Sequence, residues 1–119
     1  MTGSLTNMTP SQLDEALRAG DILLVDVREP AEFAVSRIHG AVNFPLSTFD
    51  PKALLATVDP ATVVLQCGSG KRSAMAAARC QEAGFAVTRH LAGGINAWQS
   101  AGLHMIDINA ATGRLRDPA

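Results

Sequence analysis

The sequence predicts an α/β fold, a single domain in which a mostly parallel central sheet is flanked by helices. Two nearly continuous apolar runs, residues 22–27 and 62–66, have the composition of parallel strands that are buried on both faces. Segments rich in helix-forming residues alternate with these runs, at residues 10–19 and 71–83. A chain of 119 residues with 47% hydrophobic content can build the core of one such domain.

The first helix has a clear start and a clear end in the sequence. Thr9 is a suitable N-cap, Pro10 suits the first helical position, and Gln12 can complete a capping box. Gly20 is expected to close the helix. The apolar run 22–27 then predicts a central strand.

The middle of the chain predicts shorter elements. Residues 41–44 form a short strand that Pro45 stops, and residues 51–57 can form a short helix. The dipeptide at 59–60, Asp followed by Pro, marks the turn before the strand 62–66.

The last part of the domain repeats the same alternation. The helix 71–83 is expected to end at Gly84, which serves as its C′ residue. A further strand is predicted at 87–91, and the glycine pair at 93–94 permits a sharp bend into a helix over 96–100.

Charge and hydropathy argue against several classes of function. The formal net charge is −1 and the pI is near 6.3, so nothing indicates binding to nucleic acid or to an anionic membrane. No stretch approaches the ~20 apolar residues of a membrane-spanning helix, and the first ten residues lack the apolar centre of a signal peptide. Two cysteines, at least one of them needed as a thiol, predict a reducing cytoplasm.

The most informative segment joins the strand 62–66 to the following helix and starts with a cysteine. Its glycines allow positive φ, and the start of the helix adds unpaired amides and partial positive charge. Such a turn stabilises an anion, so the pKa of the thiol should fall from about 8.5 towards roughly 3.5–7.5, with the neighbouring Lys and Arg assisting. The candidate site consists of catalytic Cys67 and the loop residues Gly68, Ser69, Gly70, Lys71, Arg72 and Ser73.

Three other cysteine or glycine motifs fit this segment poorly. A P-loop needs four residues between its glycines, whereas Gly68 and Gly70 are separated by one. A thiol phosphatase or arsenate reductase loop has five residues between cysteine and arginine, and here only four separate Cys67 from Arg72. A Cys-x-x-Cys redox or zinc motif is also missing, because Cys80 lies about 12 Å along the helix, too far for a disulfide with Cys67.

The chain resembles the rhodanese-like family from residue 9 to residue 102. Residues 24–33 with 38–45 are similar to the first signature of the family, the cysteine segment 67–73 to its active loop, and residues 91–98 to its closing signature. All three occur in the order that the family has, which makes the resemblance specific.

The extent of the resemblance sets the predicted domain boundaries. Residues 1–8 are expected to be an N-terminal extension, 9–102 the rhodanese-like domain, and 103–119 a C-terminal tail. The brief alternation at 105–108 suggests an edge strand or a contact with another copy, and the polar segment 113–119 is expected to be loose. The oligomeric state stays open.

The resemblance implies a sulfurtransferase that works through a persulfide on Cys67. The expected partners are a small anionic sulfur donor such as thiosulfate, and an acceptor that is a thiol, cyanide or an acceptor protein. The alternative is a rhodanese-like sulfur carrier or interaction module with little turnover of free thiosulfate. Covalent catalysis of this kind should show ping-pong kinetics.

Two charged residues near the end of the first central strand are candidate supporting residues. Asp26 is costly to bury unless it is paired, and Arg28 or Arg72 is its expected partner. An ion pair between Asp26 and Arg28 that organises the loops is favoured over direct contact of either residue with substrate.

The chain departs from the family pattern at two places that bear on substrate. Gly68 follows the cysteine where many members have a charged or bulky residue, which predicts a more open mouth. Arg37 stands where the first signature often has His, and His39 occupies the variable position. The preference for thiosulfate is therefore open.

The remaining chemistry-bearing side chains are assigned to structural roles. His39, His90 and His104 lack metal-ligand spacing, so neither a metal nor another cofactor is expected. Cys80 is expected in the core, and Trp98 is expected to anchor the last helix.

Overall fold

The computed structural model describes residues 4–109 and 111–117 of the chain. The strands, in chain order, are β1 Thr6–Met8, β2 Leu23–Asp26, β3 Ser36–Arg37, β4 Val42–Asn43, β5 Val63–Gln66, β6 Arg89–Leu91, β7 Ile106–Ile108 and β8 Leu115–Arg116. The helices are α1 Pro10–Ala19, α2 Pro30–Val35, α3 Pro51–Leu54, α4 Lys71–Glu82 and α5 Gly94–Ser100, with 3₁₀ turns at Leu46–Thr48 and Pro60–Thr62.

A parallel sheet forms the centre of the molecule, in the strand order β1-β6-β5-β2-β4. Val25 of β2 lies opposite Leu65 of β5, and Asp26 lies opposite Gln66. Because β2 and β5 are interior strands with helices on both faces, their continuous apolar sequences are needed. The predicted α/β fold with a parallel sheet is confirmed, and the chain leaves β2 and β5 at the same edge, where open sheets of this type build their sites.

Apolar side chains from both faces of the sheet form two buried clusters. One packs the sheet against α3 and α4 and contains Cys80, which confirms the core position predicted for that residue. The other packs it against α1 and α5 and contains Trp98, whose Nε1 donates to the carbonyl of His104 at 2.8 Å. Trp98 therefore anchors α5, as predicted.

The helix ends follow the predicted capping chemistry closely. The Thr9 and Gln12 capping box is present, and Gly20 ends α1 with φ +74°. Gly84 follows α4 with φ +91°, as predicted for a C′ residue. The predicted helix 51–57 stops at Leu54 instead.

Part of the segment predicted as an N-terminal extension contributes a strand to the sheet. This strand, β1, pairs in parallel with β6, and Asn7 lies opposite His90 in this pairing. A three-residue strand with two polar side chains carries too little periodicity to be recognised in the sequence.

The C-terminal tail also forms regular structure. β7 pairs antiparallel with both β3 and β8, so the alternating segment is the middle strand of a small second sheet and not an edge strand. The segment 113–119, which is predicted to be loose, contains the two-residue strand β8. Residues 118–119 lie outside the described residues. Among the helices of the described segments, none is long and apolar enough to cross a membrane.

Candidate functional site

The cysteine turn encloses a buried thiol. Cys67 leaves β5 directly, is fully buried, and is followed by Gly70, which begins the turn into α4 with φ +102°. The main-chain N–H of Gly70 donates to the Cys67 Sγ at 3.0 Å. Ser73, one turn into α4, places its Oγ 3.6 Å from the same sulfur. The sequence prediction of a thiol held by inward-pointing amides describes this contact with Gly70.

The start of α5 fixes the other side of the turn. The N–H of Ile95 donates to the carbonyl of Cys67 at 2.8 Å, and the N–H of Asn96 donates to the carbonyl of Gly68 at 3.1 Å. Because a trans peptide directs its C=O and N–H in opposite directions, the N–H groups of Gly68 and Ser69 point away from α5. The closing signature thus orients the peptide groups of the turn.

Gly94 makes this contact sterically possible. It has φ +61°, and a Cβ on this residue would lie 2.4 Å from the carbonyl oxygen of Cys67 and 2.6 Å from that of Gly68. No side chain fits in that space. The sequence predicted only a bend at the glycine pair, and the structure shows a close approach of backbone to backbone.

The two thiols of the chain have opposite pKa shifts. Burial alone raises the pKa of the Cys80 thiol to about 11. Burial also raises the pKa of Cys67, but hydrogen bonds from Ser73, through both its N–H and its hydroxyl, and from the N–H groups of Gly70 and Ser69 outweigh it, and the pKa of Cys67 is lowered. Cys67 is therefore the thiol that favours ionisation.

The two cations of the turn have different surroundings. Lys71 is exposed. Arg72 pairs with Glu32 of α2, with Nη1–Oε1 and Nη2–Oε2 distances of 2.7 and 3.1 Å. The hydrogen bond from Arg72 is the first cause that lowers the pKa of Glu32 to about 2. Arg72 also interacts electrostatically with Cys67, and this interaction helps to raise the pKa of Arg72.

Arg72 lies beside Gly68, the residue at which the sequence predicts a more open mouth. A Cβ on Gly68 would lie 3.2 Å from Nη2 of Arg72, so a side chain there would require the guanidinium to shift. Gly68 and Arg72 both line a depression at the surface of the turn.

Asp26 and Arg28 form a buried ion pair beside the turn. Nη2 of Arg28 lies 2.8 Å from Oδ2 of Asp26, and the main-chain N–H of Arg28 donates to Oδ1 at 2.9 Å. Nη2 also donates to the carbonyl of Ser36 at 2.7 Å. Of the two partners considered for Asp26, the structure shows Arg28. The pair ties the end of β2 to the start of β3.

A polar depression of about 350 Å³ opens above the turn. It is lined by Arg28, Glu32, Ser36, Gly68, Ser69, Arg72, Ile95, Asn96, Gln99 and Met105. Cys67, which is fully buried, is not one of its lining residues. A second depression, of about 430 Å³, lies between α1 and α5, and none of its lining residues belongs to the loop.

Sequence reasoning missed the role of one histidine at the site. His90 is buried on β6, and its Nδ1 lies 2.8 Å from Oγ of Ser73 while its Nε2 lies 2.7 Å from Oδ1 of Asn7. Burial lowers its pKa. The sequence places His90 near the carboxyl end of a predicted strand. It does not show that this strand lies next to β5, which follows from the pairing of Leu65 with His90.

The other two histidines are exposed, and His39 lies 3.3 Å from Asp117. Among the described residues there is no group of His, Cys, Asp and Glu side chains that could hold a metal ion. The structure brings Cys67, Gly70 and Ser73 together, places Ser69 on the exposed rim, and turns Lys71 towards solvent.

Comparisons with known proteins match most of this chain. A family model described as Rhodanese-like domain matches residues 9–101. The chain is 40% identical over 108 residues to the uncharacterized protein slr1261 of Synechocystis sp., an alignment that covers 89% of this chain and 60% of that protein. It thus spans less than two thirds of that relative.

Two further similarities cover most of both chains. A protein named Sulfurtransferase from Allochromatium vinosum is 37% identical over 86 residues, which is 72% of this chain and 79% of that one. The solution structure of the rhodanese-like domain from the Anabaena sp. Alr3790 protein has a TM-score of 0.75 at 22% identity, covering 95% of this chain and 84% of that chain. The last likeness shows the fold alone.

Proposed function

Because this chain belongs to the rhodanese-like domain family, we propose that it is a sulfurtransferase that carries a sulfane sulfur on Cys67 as a persulfide. The observation that carries the proposal is a buried thiol whose pKa is lowered by hydrogen bonds, with the N–H of Gly70 at 3.0 Å from the sulfur. The name of the Allochromatium relative supports the same class of reaction.

The proposed reaction has two half-reactions, and atoms and electrons balance in each. In the first, the Cys67 thiolate attacks the outer sulfur of the donor, a new S–S bond forms, and the S–S bond of the donor breaks. With thiosulfate, the electron pair leaves on sulfite. In the second, cyanide or a thiolate attacks the outer sulfur, and Cys67 leaves as a thiolate.

The turn supports the persulfide intermediate in the same way as the thiolate. The outer sulfur of a persulfide is an anion, and the N–H groups of Gly68 and Ser69 point away from α5 because their neighbouring carbonyls are bound there. Donors held at hydrogen-bond distance before charge develops are the usual source of electrostatic stabilisation.

A second candidate function, a carrier that accepts sulfur from another persulfide, is favoured by the charges at the mouth. Both guanidiniums that line it are paired with carboxylates, Arg28 with Asp26 and Arg72 with Glu32. A dianion such as thiosulfate therefore meets two neutralised pairs. A persulfide on a protein or a small thiol carries less charge and loses less from this arrangement.

The experiment that separates these candidates is intact mass spectrometry of the reduced protein after mixing with a panel of donors. Thiosulfate, a persulfidated protein and a small persulfide are compared. We expect a gain of one sulfur that is lost on addition of cyanide or a thiol. Cys67→Ser should show no gain, and Cys80→Ser, the matched control for the other buried thiol, should keep it.

Each outcome of the mass measurement supports or contradicts at least one of the two candidate functions. An adduct from thiosulfate supports the thiosulfate sulfurtransferase, and an adduct from persulfides alone supports the carrier. No adduct from any donor contradicts both. Hydrolysis of an aryl phosphate that depends on Cys67 would indicate a thiol phosphatase instead. A cytoplasmic location stays a prediction, resting on the two free cysteines.

A further inference from the structure

A continuous chain of polar side chains runs behind the cysteine turn. Cys67 Sγ is 3.6 Å from Ser73 Oγ, which is 2.8 Å from Nδ1 of His90. Nε2 of His90 is in turn 2.7 Å from Oδ1 of Asn7 on the edge strand β1. The cysteine and the serine are fully buried, and the histidine is 6% exposed. The sulfur of Cys67 is thus connected through Ser73 to the titratable ring of His90.

The chemistry of Asn7 determines where the hydrogens lie. Its Oδ1 can only accept, so Nε2 of His90 carries a hydrogen. In the neutral imidazole, Nδ1 then accepts, and the hydroxyl of Ser73 donates to it. The serine oxygen is left to accept from the thiol of Cys67, which is the direction of that contact. The carbonyl of Gly70, 3.1 Å from Ser73 Oγ, is a second and longer acceptor for the same hydroxyl.

A second arrangement of the same hydrogens satisfies every link equally well. If the proton of the thiol moves to Ser73 Oγ and the serine proton moves to Nδ1 of His90, the ring becomes an imidazolium. Its Nδ1–H then donates to the serine oxygen, whose O–H now points at the thiolate. A thiolate beside a neutral His90, by contrast, takes the serine hydrogen and leaves Nδ1 buried without a donor.

We propose that Ser73 and His90 deprotonate Cys67, the serine passing the proton of the thiol to Nδ1 of His90, while Asn7 is a positioning residue that holds the ring. The S–H bond breaks, one O–H bond replaces another on Ser73, and an N–H bond forms on His90, so no external acid or base is needed. This inference builds on the proposed function, because it supplies the thiolate that attacks the donor.

Besides His90, the cation that interacts with Cys67 is Arg72, which is itself paired with Glu32. On β6, the neighbouring Arg89 donates to a main-chain carbonyl, and on α4, Lys71 is exposed and Arg72 is paired with a carboxylate. Within the described residues, β1 and α5 carry no titratable side chain. In a buried site, the thiolate of Cys67 and the imidazolium of His90 therefore stabilise each other. Burial lowers the pKa of the ring and so disfavours the imidazolium, a cost that the neighbouring thiolate offsets.

The test measures ionisation without any sulfur donor. In a Cys80→Ala background, the rate of alkylation of Cys67 by iodoacetamide is followed against pH, together with the thiolate absorbance. His90→Gln is the informative variant, because an amide can still accept from Ser73 but cannot take up a proton. We expect the midpoint of the alkylation profile to rise by about one pH unit, which at pH values below the midpoint is about a tenfold loss of alkylation rate.

Two further variants separate a proton path from a structural hydrogen bond. Ser73→Ala should lower the alkylation rate as much as His90→Gln does, and the double variant should lower it no further. Ser73→Thr, which keeps a hydroxyl, should keep the wild-type rate. In proton NMR, Cys67→Ala should lower the pKa of His90, because the thiolate that favours the imidazolium is gone. The resonance is assigned by its disappearance in His90→Gln.

Either of two results would overturn the relay. One is an alkylation profile that does not change in His90→Gln, and the other is a pKa of His90 that does not change in Cys67→Ala. A relay that is confirmed in a protein that forms no persulfide with any donor would refute the proposed function and leave the relay standing. Thermal melts of every variant show whether a loss reflects unfolding.

Discussion

Replacing Gly94 by alanine tests whether the start of α5 holds the thiol turn in its ionising geometry. The new methyl group would lie 2.4 Å from the carbonyl oxygen of Cys67 and 2.6 Å from the carbonyl carbon and oxygen of Gly68. These are backbone atoms, which cannot rotate away as the end of a side chain would. The turn must therefore move away from α5, and the hydrogen bonds from Ile95 and Asn96 must lengthen.

The size of the effect follows from two separable costs. A residue other than glycine at φ +61° costs about 1–2 kcal/mol, and forcing a methyl group into filled space costs about 1–3 kcal/mol. Gly102→Ala is the matched control, because it has φ +75° and its Cβ would meet no described atom within 4 Å. We expect Gly94→Ala to lose about 2 kcal/mol more than this control in urea unfolding.

The same variant should also change the thiol. Displacement of the turn weakens the donors to Cys67, while its burial remains, so the pKa of Cys67 should rise and its alkylation at neutral pH should slow. If Gly94→Ala unfolds no more easily than Gly102→Ala and alkylates at the unchanged rate, then α5 does not position the turn.

Three further expectations concern the charges at the mouth. Glu32→Gln should release Arg72 and increase the rate of persulfide formation with thiosulfate relative to that with a small persulfide, and added salt should reduce this effect. A ratio of the two rates that equals that of the wild type would mean that the pair does not select donors by charge. The pKa of Glu32 is lowered from 4.5 to about 2 in the folded protein, so the pair stabilises the fold fully above pH 4.5 and loses its effect as the pH falls through 2. In urea titrations, the stabilities of the wild type and Glu32→Gln should therefore converge near pH 2. Lys71→Ala should weaken thiosulfate use by less than about fivefold, because Lys71 is exposed, and a larger, salt-insensitive loss would place it in the site.

The sequence predicted the parts of this molecule that depend on local chemistry. The strands β2 and β5 are continuous apolar runs because both of their faces are covered, and glycines mark the ends of α1 and α4 because those residues adopt positive φ. The cysteine turn was recognisable because its glycines and the start of the following helix lie next to the thiol in the sequence.

The parts that were missed depend on contacts between distant segments. The helix α2 has only six residues, yet it supplies Glu32, which neutralises Arg72 across 40 positions of sequence. His90 meets Ser73 and Asn7 only because β1 and β5 flank β6. No spacing rule connects these residues, so their role follows from the order of the strands and not from the motif that contains them.

The contrast between Cys67 and Cys80 shows what the turn contributes. Both thiols belong to the same buried cluster and both are penalised by burial, which alone takes the pKa of Cys80 to about 11. The pKa of Cys67 moves in the opposite direction, so its hydrogen bonds more than offset the same penalty. The donors belong to the turn and to Ser73, and Arg72, which interacts electrostatically with the thiol, is at the same time paired with Glu32. Burial and ionisation are therefore compatible at one cysteine of this core and not at the other, because only one of them ends a strand where a helix begins.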